Sequence, residues 1–363
     1  MASPQKRIAR ASVPIANHNR ILAVRLSSLG DLVHTIPVVP ALRSSFAEAE
    51  IHWVVDERWS PLMQLVRGID HVVPLRGSIS GYLHCMKQIR DAEYSCAIDF
   101  QGIYRSAMLV WASGASLRIG RDVDSARERG AARFYSERIS PSGKHVAEMS
   151  MSLAEHAGAR PKIPMQFPID VPVAEAGRVR EELKAKGITN YIVVSPGGGW
   201  KSKCWPPERF GALCAEVWNR YGIPTVINIA PGEVEFGNVA RAHSHPAKPI
   251  VYCPKLRELV ALLSGALLVV GGDTGPVHLA AALGTPVVAL FGATNAARNG
   301  PLPSGVVVQN SCSSDLLNYR RGDYLRGRSY SPEMLSITVG QLLNAIEQQF
   351  NNPSLIQQRS YGL

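Results

Sequence analysis

The chain has 363 residues, of which 46% are apolar and 19% charged, with 39 Lys and Arg against 29 Asp and Glu. That length holds about two domains with real cores, and the apolar fraction excludes a largely disordered or low-complexity chain. A formal charge of +10 draws the protein toward phosphates, carboxylates or anionic lipid without choosing among them. In chain order, ILAVRL at 21–26 reads as a strand closing in the polar turn Ser27-Ser28-Leu29-Gly30-Asp31. Leu32, Ile36, Val39 and Leu42 then recur at helical spacing, with Pro37 bounding or kinking the helix. Strands are predicted at 51–55, 72–75 and 96–100. Strands alternating with helical stretches argue for a parallel sheet covered on both faces.

Between 161 and 172 stand Pro161, Pro164, Pro168 and Pro172, which predict an extended connector. Beyond it the pattern restarts. A helix at 173–186 stopped by Gly187 leads to a strand at 191–195, a helix at 207–221 and a strand at 225–229. A helix at 233–242, a strand at 250–252, a helix at 255–264 and a strand at 267–270 follow, then a helix at 277–283 and a strand at 287–291. The expected organisation is a basic flexible tail at 1–20, an α/β domain at 21–165 and a second at 173–333. A C-terminal helix and tail at 334–363 would pack back on the first domain. Two such domains on a stiff linker place a ligand in the cleft between them.

The six cysteines form no C-x-x-C pair and have no His cluster at zinc spacing, so they are expected to be reduced packing residues. The most apolar run, 259–270, is interrupted by Ser264 and Gly265 and falls short of the roughly 20 residues of a membrane span. The N-terminal stretch lacks the apolar core of a secretory signal. Arginines concentrate at 118–138 and at 320–328. No RRM, KH or zinc-finger pattern accompanies them, so a phosphorylated ligand or anionic lipid is expected rather than nucleic acid. Most arginines of 118–138 read as a solvated helix face.

Several chemistries are excluded by pattern. The first turn has Gly30 alone instead of G-x-G-x-x-G, and Trp200 stands where a Walker loop needs glycine. G-x-S-x-G and H-E-x-x-H do not occur.

Three phrases remain. Asp31, at a helix start on the carboxyl side of a strand, either caps that helix or acts as a general base. Ser195-Pro196-Gly197-Gly198-Gly199, followed by Lys201 and Lys203, either is a solvated turn or brings bare backbone and cations to a diphosphate. The phrase from Gly271 to Pro286 joins a strand to a helix whose free N–H groups and positive end suit an anion. Its His278 is either a packing residue or a ligand contact.

Together these phrases resemble the glycosyltransferases that add ADP-heptose to the lipopolysaccharide inner core. The resemblance rests on Ser27-Ser28-Leu29-Gly30-Asp31, on Lys203-Cys204-Trp205-Pro206, and on Asp273-Thr274-Gly275-Pro276-Val277-His278-Leu279 with Gly284-Thr285-Pro286. It implies a GT-B fold of two facing Rossmann-like domains and an inverting transfer that uses no metal and no cofactor, ADP-heptose being a co-substrate. It further implies Asp31 as the base and Lys203 as the group that neutralises the departing diphosphate. The donor would be held by Ser28, Gly198, Gly199, Lys203, Glu233, Asp273, Thr274, Gly275 and His278. Asp99, Gln101, Arg105 and Arg127 would meet an anionic glycolipid acceptor at the cytoplasmic face of the inner membrane. Three glycines at 197–199 stand where some members carry hydroxyl residues, which leaves donor identity open. Asp122-Val123-Asp124 reads as surface. A GT-B transferase using another sugar nucleotide such as a UDP-hexose, and a non-catalytic nucleotide-binding module, are the competing expectations.

Overall fold

The computed structural model describes residues 19–292, 294–310 and 329–351. Most of the basic tail, the arginines of 320–328, Cys312 and the chain beyond 351 lie outside those residues.

Two six-stranded sheets are built almost as copies. The first holds β1 (Arg20–Val24), β2 (Glu50–Asp56), β3 (His71–Leu75), β4 (Cys96–Asp99), β5 (Leu117–Arg121) and β6 (Glu137–Ile139), in the order β3-β2-β1-β4-β5-β6. The second holds β7 (Ile192–Ser195), β8 (Thr225–Asn228), β9 (Ile250–Tyr252), β10 (Leu268–Gly272), β11 (Val287–Phe291) and β12 (Val306–Gln309), in the order β12-β11-β10-β7-β8-β9. Read from β9, this is the same doubly wound order as the first sheet, and every strand pair is parallel. Helices cover both faces, so the central strands are apolar throughout: β1 residues 21–24, all of β7 and all of β10 are buried. Strand order reverses between β1 and β4, and again between β7 and β10. Open sheets present ligands at those two points.

The strands expected from sequence are present with ends shifted by a residue or two, and Pro37 separates a helix at Leu29–Thr35 from one at Val38–Ser45. Strands β5, β6 and β12, and the helices Ile79–Asp91, Tyr104–Ala112 and Val146–His156, carry no expectation from the sequence. The arginine stretch 118–138 is no helix face. It runs through β5, a turn, a 3-10 segment at Arg129–Phe134 and β6. Gly120 lets the Tyr135 ring lie directly on β5, and the Arg118 guanidinium donates to the carbonyls of Ala115 and Phe134 at 2.7 and 3.1 Å. Asp122 accepts from the Ser125 N–H at 2.9 Å, closing a turn.

The C-terminal helix also lies elsewhere than expected. Ile337 and Thr338 break it into Pro332–Ser336 and Val339–Phe350, and the latter packs on the Pro207–Tyr221 helix, β11 and β12. Trp205 Nε1 donates to Ile337 O at 3.0 Å and Gln349 Nε2 to Val287 O at 3.2 Å, so this helix completes the second core, not the first domain. Among the described residues four cysteines are buried and Cys253 is exposed. Among the described residues no helix is long and apolar enough to cross a membrane. One apolar cluster holds residues of both domains, Leu29 and Val277 among them.

Candidate active site

The cleft between the sheets has a volume of about 510 Å³ and is walled by both switch points. From the first domain come Ser28, Leu29, Gly30 and Trp59. From the second come Ser195, the glycines 197–199, Lys203, Glu233 and the run from Asp273 to Pro276.

On the first wall, the turn after β1 places Asp31 in the first turn of the Leu29–Thr35 helix. Its Oδ2 accepts from the N–H and hydroxyl of Ser28, both at 3.2 Å, and its Oδ1 pairs with Arg25 Nη2 at 2.8 Å. Asp31 therefore caps the helix, directly after the cleft-lining Gly30, yet its side chain remains 31% exposed. Burial raises its pKa, but Arg25, the Ser28 N–H, Arg127 and His34 overcome that and hold it at about 2. Arg25 is itself fixed, donating to the Phe100 carbonyl.

On the second wall, Asp273 follows β10 and is only 8% exposed. Oδ2 pairs with Lys203 Nζ at 2.7 Å and Oδ1 with His278 Nε2 at 2.9 Å. Burial pushes the Asp273 carboxyl up; the His278 hydrogen bond and the Lys203 charge more than reverse this and keep it well below the usual carboxylate range. Thr274 is the N-cap of the Gly275–Ala282 helix, with Pro276 in its first turn, and its buried Oγ1 has no hydrogen-bond partner. Free helix N–H groups, an orphaned hydroxyl and a lysine converge on one spot, the arrangement that receives an anion. Glu233 caps its own short turn by accepting from Ala230 N–H at 2.9 Å, and its carboxylate lies on Gly197, where a Cβ would collide. Gly198 faces Cys204 Sγ, 2.9 Å from where a Cβ would sit, whereas Gly199 has open space.

The walls meet through the Leu29–Thr35 and Gly275–Ala282 helices. A Cβ on Gly30 would lie 2.9 Å from the His278 ring, and one on Gly275 would lie 2.6 Å from Leu29. Beside them, three imidazoles cluster across the seam, one pair edge-on and the other tilted. His34 lies 4.4 Å from His278 and 4.9 Å from His145, centroid to centroid. Both nitrogens of His34 are buried without partners, and burial with its two histidine neighbours holds its pKa well below the usual imidazole value. His145 reaches the second domain through Nε2 and the Gly300 carbonyl at 3.0 Å.

The sequence profile of glycosyltransferase family 9 (heptosyltransferase) matches residues 82–321. The chain belongs to this family. Over 290 residues it is 30% identical to lipopolysaccharide heptosyltransferase 1 of Pseudomonas aeruginosa, covering 76% of this chain and 79% of the relative. It is 27% identical over 283 residues to lipopolysaccharide heptosyltransferase 3 of Escherichia coli strain K12, covering 73% and 80%. Among solved structures, a family 9 glycosyltransferase from Veillonella parvula superposes with a TM-score of 0.77 at 23% identity, covering 93% of this chain and 97% of that one. E. coli ADP-heptose lipopolysaccharide heptosyltransferase II gives 0.76 at 20% identity, covering 94% and 99%. The protein is a glycosyltransferase of GT-B fold.

In this transferase the acceptor residues expected from sequence divide. Arg127 is exposed and close enough to Asp31 for its charge to act there. Arg105 is exposed at the start of the Tyr104–Ala112 helix, and its charge acts on Asp56 and Tyr82 instead. Asp99 is withdrawn from the acceptor set. It is fully buried, with Oδ1 accepting from the Gln101 and Gly102 N–H groups at 2.8 and 3.1 Å, and Oδ2 from Ser106 and Tyr135 hydroxyls at 2.7 and 2.6 Å. Gln101 is 6% exposed, and its side-chain oxygen accepts the Leu26 N–H at 2.7 Å. These two residues frame the β1–β4 switch point and do not face the cleft.

Sequence reasoning missed Arg25, Trp59, Asn228 and His34. Arg25 had a visible signal, a cation in the otherwise apolar run at 21–26. Asn228 donates to Ser195 Oγ at 3.2 Å beneath the glycine turn, a contact that no spacing announces. Among the described residues no group of three or more His, Cys, Asp or Glu is arranged to hold a metal ion.

Proposed function

We propose that this transferase moves heptose from ADP-heptose to the anionic inner core of lipopolysaccharide, by direct displacement with inversion at the anomeric carbon. The single observation carrying this reading is the opposition of the two switch points: the turn that ends in a partly open, ionised Asp31 lines one wall of the cleft through Ser28, Leu29 and Gly30, and Lys203 and Asp273 of the Lys203–Asp273–His278 cluster line the other. The relatives support the sugar and the acceptor, since the P. aeruginosa protein is a lipopolysaccharide heptosyltransferase. E. coli heptosyltransferase structures hold ADP or ADP-2-deoxy-2-fluoro heptose.

The acceptor hydroxyl attacks the anomeric carbon as its proton passes to a carboxylate oxygen of Asp31. The bond from that carbon to the diphosphate oxygen breaks, and ADP leaves with the electron pair. A carboxylate with a pKa of about 2 is a weak base. It takes the proton late, once bond formation has made the attacking oxygen acidic. Lys203 receives the charge developing on the diphosphate, with Asp273 fixing the ammonium in place. Thr274, Gly275 and the helix start behind them hold phosphate and sugar, and His278 orients Asp273. Gly198 and Gly199 let the backbone approach the donor, Ser28 closes on it from the first wall, and Glu233 meets the ribose. Arg127 and Arg105 bind acidic groups of the acceptor, and the protein works at the cytoplasmic face of the inner membrane.

Calorimetry with ADP, UDP and GDP tests the donor, on wild type and on Lys203→Ala. Selective ADP binding that weakens in the variant supports the reading. Equal weak binding of all three nucleotides, or a preference for UDP, overturns it. The anomeric configuration of the product, read by NMR, tests inversion.

A further inference from the structure

The cleft leaves one feature of the first domain unused. The helices Ile79–Asp91 and Tyr104–Ala112 lie side by side, tied by the Tyr82 hydroxyl donating to the Arg105 carbonyl at 2.8 Å and by Gly114, which faces the Arg90 guanidinium. Both present large apolar side chains to solvent: Ile79 is 83% exposed, Leu83 59%, Trp111 55% and Tyr104 47%. Ile79 and Leu83 are four residues apart on one helix, and Tyr104 and Trp111 seven apart on the other, so each pair shares a face. The half-buried Phe134 ring joins the second pair, 6.5 Å from both Tyr104 and Trp111. Scattered single exposed apolar residues are ordinary; paired ones sharing a face on each of two adjacent helices mark a contact surface.

The charges around the strip indicate its partner. On these two helices and the Arg129–Phe134 segment, Lys87, Arg90, Arg105, Arg129 and Arg133 stand against the single carboxylate Asp91. A protein partner would be expected to bring mixed charges, whereas a rim in which cations outnumber Asp91 and Glu128, around exposed aliphatic and aromatic side chains, matches the interface of an anionic bilayer. Position argues the same way. Both helices start at the carboxyl edge of the first sheet, the edge facing the cleft: one follows β3, the other follows β4. The Tyr104 N–H donates to Glu128, next in sequence to Arg127. The strip therefore begins at the acceptor side of the cleft and runs away from it.

We propose that this strip docks on a membrane containing anionic lipid, with Ile79, Leu83 and Trp111 entering the headgroup layer and the basic rim pairing with phosphates. The proposal rests on the reading that the acceptor is a glycolipid: docking here lets the acceptor's sugars reach Asp31 while its acyl chains stay in the bilayer.

Co-sedimentation tests this with vesicles of phosphatidylglycerol mixed into phosphatidylethanolamine, compared with phosphatidylcholine alone. Wild type should pellet with the anionic vesicles, less so as salt is added, and not with the neutral ones. Ile79→Asp/Leu83→Asp, both on the surface, should weaken that binding by about tenfold or more. Its melting temperature, and its transfer to a water-soluble, deacylated acceptor, should match wild type. Wild type that ignores anionic vesicles, or a double variant that binds them as well as wild type does, overturns the proposal. So does a shift from dimer to monomer in the double variant by ultracentrifugation, which would make the strip an interface between two copies. Vesicle binding needs no donor, so a failed ADP titration would overturn the functional reading while leaving this result intact.

Discussion

The two walls of the cleft treat an aspartate in opposite ways. Asp273 is saturated: one oxygen goes to Lys203, the other to His278, and hardly any of it meets solvent. Asp31 is held by Arg25 and by its own helix start, but nearly a third of its side chain stays open. Both are ionised, and only one has room for an incoming proton. A carboxylate closed on every side positions other groups; one fixed from behind and open in front can react. The same fold copied twice thus yields one open and one closed carboxylate, which in the proposed mechanism make a reacting wall and a holding wall.

That contrast can be broken at its strongest point first. Asp31→Asn should lower kcat by about a thousandfold, the usual worth of a positioned base, with ADP affinity changed less than about threefold. Loss of ADP binding with retained turnover would move Asp31 to the holding wall. Lys203→Ala should cost about a hundredfold in kcat/KM and weaken ADP binding as well, since it removes charge from the leaving group. Steady-state kinetics with a parallel ADP titration separates the two patterns.

Smaller effects sharpen the seam between the walls. Gly30→Ala places a methyl 2.9 Å from the His278 ring and should cost about 1–3 kcal/mol, read as a lowered Tm. The clustered histidines predict a pH dependence. His34 is held well below its ordinary pKa in the folded protein, so below about pH 6.5 the unfolded chain takes up a proton that the folded one refuses. Stability should therefore fall with pH, by about 1.4 kcal/mol for one such histidine at pH 5.5, and His34→Gln should remove that share of the slope in denaturant titrations. Asp31, ionised far below this range, should contribute no acid limb to kcat/KM there. The smallest change is Gly199→Ala, which meets nothing within 4 Å and should stay within about 0.5 kcal/mol of wild type.

Much of this was legible in the sequence where a local rule sufficed. The central strands are apolar runs because both their faces are covered, and the glycine and proline turns after them are read from backbone requirements alone. Strands β5 and β6 escaped because they lie toward a sheet edge and are rich in Arg and Glu, so neither alternation nor an apolar run marks them. Asp99 and Gln101 were expected at the acceptor through the family resemblance alone, which says nothing of what packs against them here. Only the fold shows the Tyr135 hydroxyl and the Leu26 N–H arriving to occupy them. The final helix has an apolar face that fits more than one core, and Trp205 and Gln349 decide which. Arg25 was visible as an anomaly, but its partner six residues on could be named only once the turn was seen.

The paired glycines at the seam have a consequence for how such proteins can be recombined. Gly30 makes room for His278, and Gly275 makes room for Leu29, each half of the chain leaving a gap shaped for a side chain of the other. The two halves are therefore matched parts. A donor half grafted from a relative will seat properly only if it brings a small residue opposite Leu29 and a ring that Gly30 can accept. Exchange of whole domains between family members should succeed or fail at these four positions before any residue that touches the sugar is tested.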